Sequence, residues 1–209
     1  MLSQVQSAED LSFFRPHQFL SHESTPPDSV FQIQEGWASR YRLFNDGRRQ
    51  ITALYLPGDL CDPAWLLGCY PRQPVAALTN VRAVRLPLRA FPPDLLGHHR
   101  ASLCDVIHRQ MSWMVSLGRR TALERLAHLL LELFERMKSA GLAYGQQCAL
   151  PLTQTDLADI TGLTAVHVNR TLQAMRSASL VELQSKWLRI PDLVALREAA
   201  GLTPGDIVS

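Results

Sequence analysis

A small residue, a glycine and an aliphatic residue are spaced in the C-terminal quarter of the chain as a steep crossing of two short helices requires. Gly162 comes four residues after Ala158, and Val168 comes ten residues after Ala158. Such a crossing needs a small side chain at the contact, a residue that adopts positive φ in the turn, and an apolar anchor in the second helix. The spacing predicts a helix-turn-helix within residues 152–191.

The second helix of this motif is predicted to have two different faces. Thr164 is a suitable N-cap, and Val168, Leu172 and Met175 recur at helical spacing as a buried face. Side chains on the other face include amides and a guanidinium, which pair bidentately with adenine and guanine in the major groove. The alternative is an ordinary solvated polar face. The residues expected at a DNA interface are Thr164, Val166, His167, Asn169, Arg170, Gln173 and Lys186.

The segments on either side of this helix complete a winged motif. Thr153 followed by Asp156 fits the start of the first helix, with a hydroxyl cap and an acid at the third helical position. Residues 180–184 and 187–190 read as two short strands around Ser185 and Lys186, which predicts a hairpin wing. Lys186 at its tip is expected to contact a phosphate, which adds affinity without sequence information.

Net charge does not point to nucleic acid. The formal net charge is +2 at pH 7, and residues 152–191 carry four Lys or Arg against three Asp or Glu, a balance of +1. The prediction of DNA binding therefore depends on geometry alone. The sequence also contains no nucleophile elbow, P-loop, metal-ligand spacing or obvious carboxylate pair, so we expect that the protein is not an enzyme.

A heptad pattern precedes the motif and predicts a dimerisation helix. Its apolar or amide positions are separated by 4, 3, 4 and 3 residues, which is the seam of a helix pair. A palindromic DNA site requires a two-fold protein, which favours a homodimer; the alternative is that this face packs on the chain's own β-domain. Gly118 is expected to interrupt the helix. A second helix is predicted over about 121–137, followed by a linker over 143–148. The predicted dimer interface is Leu103, Ile107, Gln110, Met114 and Leu117.

The region before residue 90 has the alternation and turns of short β-strands. Residues 37–44 alternate with a period of two, Asn45-Asp46-Gly47 suits a tight hairpin, and 50–56 reads as the returning strand. Residues 75–86 supply further strand-like sequence. We expect a small antiparallel barrel or roll, or alternatively an open sheet packed on the later helices.

Signals for export or membrane insertion are not visible. The first residues lack a basic start and an apolar segment, and the most apolar stretch, 126–134, is short and interrupted by His128 and Glu132. The four cysteines are scattered and form no CxxC pair, so free thiols are expected. These features predict a cytoplasmic protein with no membrane partner.

Several stretches of the chain resemble the Crp/Fnr family of bacterial transcription regulators. They are PGDL at 57–60, LGRRTALERLAHLL at 117–130, and LPLTQTDLADITGLTAVHVNRTLQAMR at 150–176. The resemblance implies an α+β fold with three parts: an antiparallel β-roll like a cyclic-nucleotide-binding domain (1–95), a long dimerisation helix (96–118), and a C-terminal winged helix-turn-helix (119–209).

The same resemblance implies a function and partners. The chain is expected to regulate transcription as a homodimer on palindromic double-stranded DNA, with RNA polymerase as a further partner. The alternative is a ligand-sensing or interaction module whose helix-turn-helix no longer binds DNA. Arg170 matches the family's guanine-contacting arginine, whereas Val166 stands where a glutamate is often found. The preferred operator should therefore differ from that of the best-known members.

The sensor region departs further from the family pattern. Members that bind cyclic AMP carry Gly-Glu-Leu and a later Arg-Ser pair; this chain has Gly58-Asp59-Leu60, and Arg72-Gln73-Pro74 lacks the hydroxyl. The effector is therefore open, with a cyclic nucleotide as one candidate and a surface position as the alternative for each arginine. The candidate effector pocket is Gly58, Asp59, Leu60, Arg72 and Arg82.

The sequence argues against one cofactor known in the family and leaves another open. Residues 1–60 contain no cysteine, which argues against an iron–sulfur cluster. Haem stays open, because imidazole and thiolate groups can act as axial ligands. The candidate axial ligands are His17, His22, His98, His99, His108, Cys61 and Cys69, each of which has a surface or packed position as the alternative.

Overall fold

A computed structural model describes residues 11–22, 27–68, 73–88 and 93–203, with the backbone alone over 93–100. The contacts divide the chain into two units. The first comprises Met1–Arg42 with Thr52–Ile107, and the second comprises Leu43–Ile51 with His108–Ser209.

The first unit is built on antiparallel strands, of which the fourth ends and the fifth begins in the Leu43–Ile51 segment of the second unit. In the described residues these are β1 (Leu11–Phe14), β2 (Phe19–Ser21), β3 (Ser29–Glu35), β4 (Ala38–Leu43), β5 (Arg49–Tyr55), β6 (Val75–Ala77) and β7 (Val81–Pro87). They form two sheets, with strand orders β1-β7-β3 and β2-β6-β4-β5. A short 3-10 helix (Pro63–Leu67) follows β5. The predicted antiparallel roll is confirmed.

Both sheets contribute to one apolar core. Val30 and Ile33 of β3 and Ala83 of β7 are fully buried, and Ile33 pairs directly with Ala83. Ala38 and Tyr55 of the other sheet belong to the same cluster. The sequence pattern does not predict a strand at 29–35, because proline-rich sequence precedes it and its alternation is partial. This segment nevertheless forms β3, which pairs with β7 and contacts the 3-10 helix.

Two long helices follow the sheets. α1 spans Pro93–Arg119 and α2 spans Ala122–Ser139. The predicted interruption at Gly118 is wrong by a small margin, since α1 continues through Gly118 and the break falls at Arg120. Thr121 caps α2 in a reciprocal capping box with Glu124, which starts the new helix at once. No helix in the described part of the chain is long and apolar enough to cross a bilayer.

The second unit ends in a winged motif. Its elements are β8 (Ala143–Tyr144), β9 (Gln147–Ala149), α3 (Gln154–Thr161), α4 (Ala165–Ser177), β10 (Glu182–Gln184), β11 (Trp187–Arg189) and α5 (Leu193–Ala199). The linker predicted over 143–148 is wrong: these residues form a hairpin around Gly145, at φ 61°, that joins the wing in the order β10-β11-β9-β8. Cys148 is buried there opposite Leu188, so the hairpin completes the core beneath the wing.

Candidate nucleic-acid interface

The turn between α3 and α4 has the geometry that the sequence spacing predicts. Thr153 and Asp156 form a reciprocal capping box at the start of α3. Gly162 ends α3 at φ 66°, and its N–H donates to the carbonyl of Ala158. Ala158 is only 5% exposed where the helices cross. Gly162 therefore supplies the left-handed conformation that a side chain would strain.

The underside of α4 is fixed by apolar contacts. Thr164 caps the helix, its hydroxyl accepting from the N–H of His167 at 3.2 Å. Val168, Leu172 and Met175 are at most 1% exposed. Core burial of this kind fixes the rotation of the helix about its own axis.

The opposite face of α4 projects into solvent. Val166 is 80% exposed, and Arg170 and Gln173 are also exposed. These three side chains lie at helical spacings of four and three residues, so they project together from one face. The guanidinium of Arg170 can contact a guanine edge, the aliphatic side chain of Val166 a thymine methyl group, and the amide of Gln173 an adenine edge.

Asn169 differs from the other members of the predicted face. It is half-buried, and its Nδ2 donates to Oε1 of Gln154 at 3.1 Å. Gln154 is the first residue of α3 and was missed by the sequence analysis. The two positions are 15 residues apart, and only the folded crossing brings them together.

The wing is tied to α4 by an arginine that the sequence analysis also missed. Arg176 Nη2 donates to the carbonyl of Leu183 in β10 at 2.9 Å. The wing turns at Ser185 and Lys186, which both have positive φ, 50° and 64°. Lys186 is exposed at the tip, as the sequence predicts.

Arginines from other elements hold α3 in place. Within the second unit, Arg49 Nε lies 2.7 Å from Asp159 Oδ2, and Arg49 Nη2 lies 2.7 Å from Asp156 Oδ1. Arg125 of α2 donates to the carbonyl of Thr161, the last residue of α3, at 2.6 Å. Both acids and the carboxyl end of α3 therefore have cationic partners.

The predicted dimer seam lies on a largely exposed face of α1. Ile107 is 51% exposed, Met114 67% and Leu117 38%, Gln110 is also exposed, and Leu103 is half-buried. Two further apolar side chains share the exposure: these are Met111 and Val115. The exposed apolar face is thus wider than the predicted seam.

The candidate effector residues have structural roles in the first unit. Gly58 and Arg82 both meet β3: the N–H of Gly58 donates to the carbonyl of Ile33 at 2.9 Å, and Arg82 is paired with Glu35. The Asp59 carboxylate accepts the N–H of Leu56, and Leu60 is buried. Arg72 lies outside the described residues.

A second set of polar residues in this unit is more deeply buried. Arg40 Nη1 lies 2.6 Å from Asp62 Oδ1, and the Tyr55 hydroxyl donates to the same oxygen. Asp62 Oδ2 has no hydrogen-bond partner among the described residues. Burial raises the pKa of the Asp62 carboxyl, although Arg40 and Tyr55 act in the opposite direction. No local motif identifies this cluster, because three strand and loop segments contribute to it.

The candidate haem ligands are dispersed in the structure. Cys61 is fully buried in the β core, where burial raises the pKa of its thiol, while His17, His22 and His108 are exposed. Cys69 lies outside the described residues, as do the side chains of His98 and His99. In the described part of the chain, no group of three or more His, Cys, Asp or Glu side chains is placed to hold a metal ion.

Comparison with known proteins gives matches to both halves of the chain. The model of the cyclic nucleotide-binding domain family matches residues 11–92, and that of the Crp-like helix-turn-helix domain matches residues 124–199. The nitrogen fixation regulation protein FixK of Azorhizobium caulinodans is 30% identical over 177 residues, covering 81% of this chain and 71% of that protein.

Two further matches extend the same likeness. The transcriptional activatory protein AadR of Rhodopseudomonas palustris is 30% identical over 190 residues, covering 86% of this chain and 76% of that protein. The structure of FixK2 from Bradyrhizobium japonicum superposes with a TM-score of 0.81 at 25% identity, covering 93% of this chain and 98% of that one. Since these matches include the sheet region, the long helices and the winged motif, the chain belongs to the Crp/Fnr family of transcription regulators with a helix-turn-helix DNA-binding domain.

Proposed function

We propose that the chain acts in the cytoplasm as a homodimer that binds a palindromic operator, with one α4 helix in the major groove of each half-site. The observation that carries this proposal is the exposure of Val166, Arg170 and Gln173 on a helix whose underside is fully buried. A rigid helix with a polar outer face is what major-groove reading requires. Gene regulation then follows from occupancy of the operator and from contact with RNA polymerase.

Different side chains are assigned different roles at the DNA. Arg170 and Asn169 read bases. The hydrogen bond between Asn169 of α4 and Gln154, at the start of α3, orients the amide groups of both side chains. Thr164, His167 and Lys186 contact the phosphate backbone and position the helix. Val166, where glutamate is common in the family, offers an apolar surface suited to a thymine methyl group.

The dimer is proposed on the exposed apolar face of α1. Ile107, Met111 and Met114 are each more than half exposed in the single chain. Side chains of this size in one stripe are normally covered by a partner, and a second copy of the same helix matches the heptad spacing. Association through α1 also gives the two-fold axis that a palindrome requires.

Selection of bound fragments from random DNA by the purified protein tests the proposal. We expect an inverted repeat whose half-sites are about one helical turn apart, roughly 34 Å. Binding should weaken steeply with salt, because each phosphate contact releases counterions. Ile107→Asp, which places a charge on the exposed face of α1, should give monomers in sedimentation and abolish preference for the paired site. If the protein selects no sequence at any salt concentration, the result supports the alternative function, a ligand-sensing or interaction module whose helix-turn-helix no longer binds DNA.

An effector is proposed to act on the first unit beside β3. A β-carbon at Gly58 would meet open space, and Arg82 lies on the strand next to β3 with its side chain 42% exposed. An anionic ligand beside this turn would compete with Glu35 for the guanidinium of Arg82. Titration with cyclic AMP as the probe, read by thermal shift for the wild type and Arg82→Gln, tests this assignment. An equal shift, or no shift, in both proteins contradicts it.

A further inference from the structure

Arg125 of α2 makes hydrogen bonds to three backbone carbonyls outside its own helix. Its Nη1 donates to the carbonyl of Thr161 at 2.6 Å. Its Nη2 donates to the carbonyls of Leu117 at 3.0 Å and Arg120 at 3.1 Å. Leu117 lies in the last turn of α1, Arg120 follows that helix, and Thr161 ends α3. One side chain therefore contacts the carboxyl ends of two helices.

The chemistry of this contact is specific to a guanidinium. The last carbonyls of a helix have no partner within the helix, and the aligned peptide dipoles give that end a partial negative charge. A guanidinium is permanently charged and presents several N–H groups in a fixed plane, so it can serve two helix ends at once. An ammonium group keeps the charge but cannot reproduce the planar arrangement of donors.

The turn at Gly162 lies beside Leu117 and Arg125. A β-carbon at Gly162, in the turn of the helix-turn-helix, would lie 3.4 Å from Leu117 Cδ2 and 3.8 Å from Arg125 Nη1. A partly open pocket between α1, α2 and α3 is lined by Leu117, Arg125 and Thr161 among others, and has space for about one water molecule. The end of α1 therefore lies next to the turn that precedes α4, the helix proposed to read DNA and called the recognition helix below.

The second half of α1 is also fixed to α2 by buried polar contacts. Trp113 Nε1 donates to Glu132 Oε2 at 2.6 Å, and Ser112 Oγ lies 3.2 Å from His128 Nε2. Glu132 and His128 are at most 2% exposed. These bonds define the register of α1 on α2, and Arg125 extends the same connection to α3.

We infer that Arg125 is a positioning residue that sets the distance between the two recognition helices of a dimer, and hence the half-site spacing that the protein accepts. The inference rests on the proposed function, because it needs a dimer formed through α1. In that dimer, the position of α4 relative to the two-fold axis depends on how α3 is held against the end of α1. Half-sites one helical turn apart tolerate little error in that position.

The test compares operators whose half-sites are moved apart or together by one base pair, together with a single half-site. For wild type we expect one preferred spacing, favoured about tenfold or more over its neighbours, as a misplaced half-site loses its base contacts. Arg125→Gln should reduce that preference to about threefold or less while changing affinity for the single half-site by no more than about twofold. Arg119→Gln removes an equal charge from the exposed end of α1 and should behave as wild type.

Each outcome decides the inference. Retention of the full spacing preference by Arg125→Gln overturns it, as does an equal loss of affinity for single and paired half-sites, which would indicate damage to the DNA-binding unit itself. If Arg125→Gln does not fold, Arg125→Lys, which keeps the charge and the aliphatic stem, must show the reduced spacing preference. A wild-type protein with no preference for paired over single half-sites contradicts the proposed dimeric function, a result distinct from failure of Arg125 alone.

Discussion

The core of the first unit and the winged motif of the second unit differ in how they place charged side chains. The first buries Arg40 and Asp62 against Tyr55, inside the sheets. The second keeps Arg170 on an exposed helix face and Lys186 at the tip of an exposed hairpin. A buried charge pair holds its own surroundings together, whereas an exposed charge is free to meet a polyanion. The comparison teaches that the charges buried in the first unit serve structure, and those exposed on α4 and the wing serve binding.

The largest expected effect on stability comes from breaking the buried ion pair of the first unit. Arg40→Met leaves the Asp62 carboxylate buried without its cation, which should cost about 3–5 kcal/mol of unfolding free energy. Denaturant titration measures the loss, and hydrogen exchange should place it in strands β3 to β7. The matched control, Arg82→Gln, breaks the exposed pair with Glu35 and should cost less than about 1 kcal/mol. Equal effects of the two substitutions would remove the distinction between buried and exposed charge pairs.

A smaller effect comes from a buried histidine in the second unit. Burial lowers the pKa of His128 to about 4, and Arg120 acts in the same direction. In the unfolded chain the imidazole of His128 takes up a proton near pH 6.5, but in the folded chain it does not. The free energy of unfolding therefore decreases as the pH falls from about 6.5 toward 4. The loss is on the order of 2–3 kcal/mol.

Comparison with a variant isolates that contribution from other acids. His128→Asn should show a shallower decline of unfolding free energy between pH 6.5 and 4 than wild type, while His108→Asn, at an exposed position, should match wild type. Burial raises the pKa of Glu132, which acts with the opposite sign and is common to all three proteins. Parallel pH profiles for wild type and His128→Asn would contradict the assignment.

The smallest effect separates stability from binding in the wing. Ser185 and Lys186 both adopt positive φ, for which Asn-Gly is better suited. The double substitution Ser185→Asn with Lys186→Gly should stabilise the protein by about 0.5–1 kcal/mol, because the relief of left-handed strain exceeds the extra entropy that glycine gives the unfolded chain. It should also weaken operator binding uniformly and lower the salt slope by about one unit, through loss of one phosphate contact. Ser185→Asn alone is the control that retains the charge. Unchanged salt dependence would exclude Lys186 from the interface.

Local periodicity accounts for what the sequence predicted well. The two faces of α4, the cap at Thr164 and the turn at Gly162 each depend on residues within one or two helical turns, so their spacing is visible in the chain. The wing hairpin follows from its two-residue turn for the same reason. The fold of the first unit was predicted as a class, but β3 was not, because its burial depends on strands far along the chain.

Contacts between distant residues account for what the sequence did not predict. The pair Asn169 and Gln154, and the three carbonyl contacts of Arg125, depend on how helices cross. Arg40, Tyr55 and Asp62 meet only after the sheets form, so no spacing rule selects them. The candidate effector residues were chosen from a linear match, and the structure engages Asp59 and Leu60 in the turn and core.

The most direct test of the DNA-reading assignment is the affinity of Arg170→Ala for each single-base variant of the selected operator. The account predicts a loss of about 1–3 kcal/mol in specific binding, relaxed discrimination at one base pair in each half-site, and an unchanged melting temperature. Gln173→Ala, on the same exposed face, should relax a different base pair or none. An Arg170→Ala protein that binds every operator variant as wild type does would contradict the claim that α4 reads DNA through this side chain.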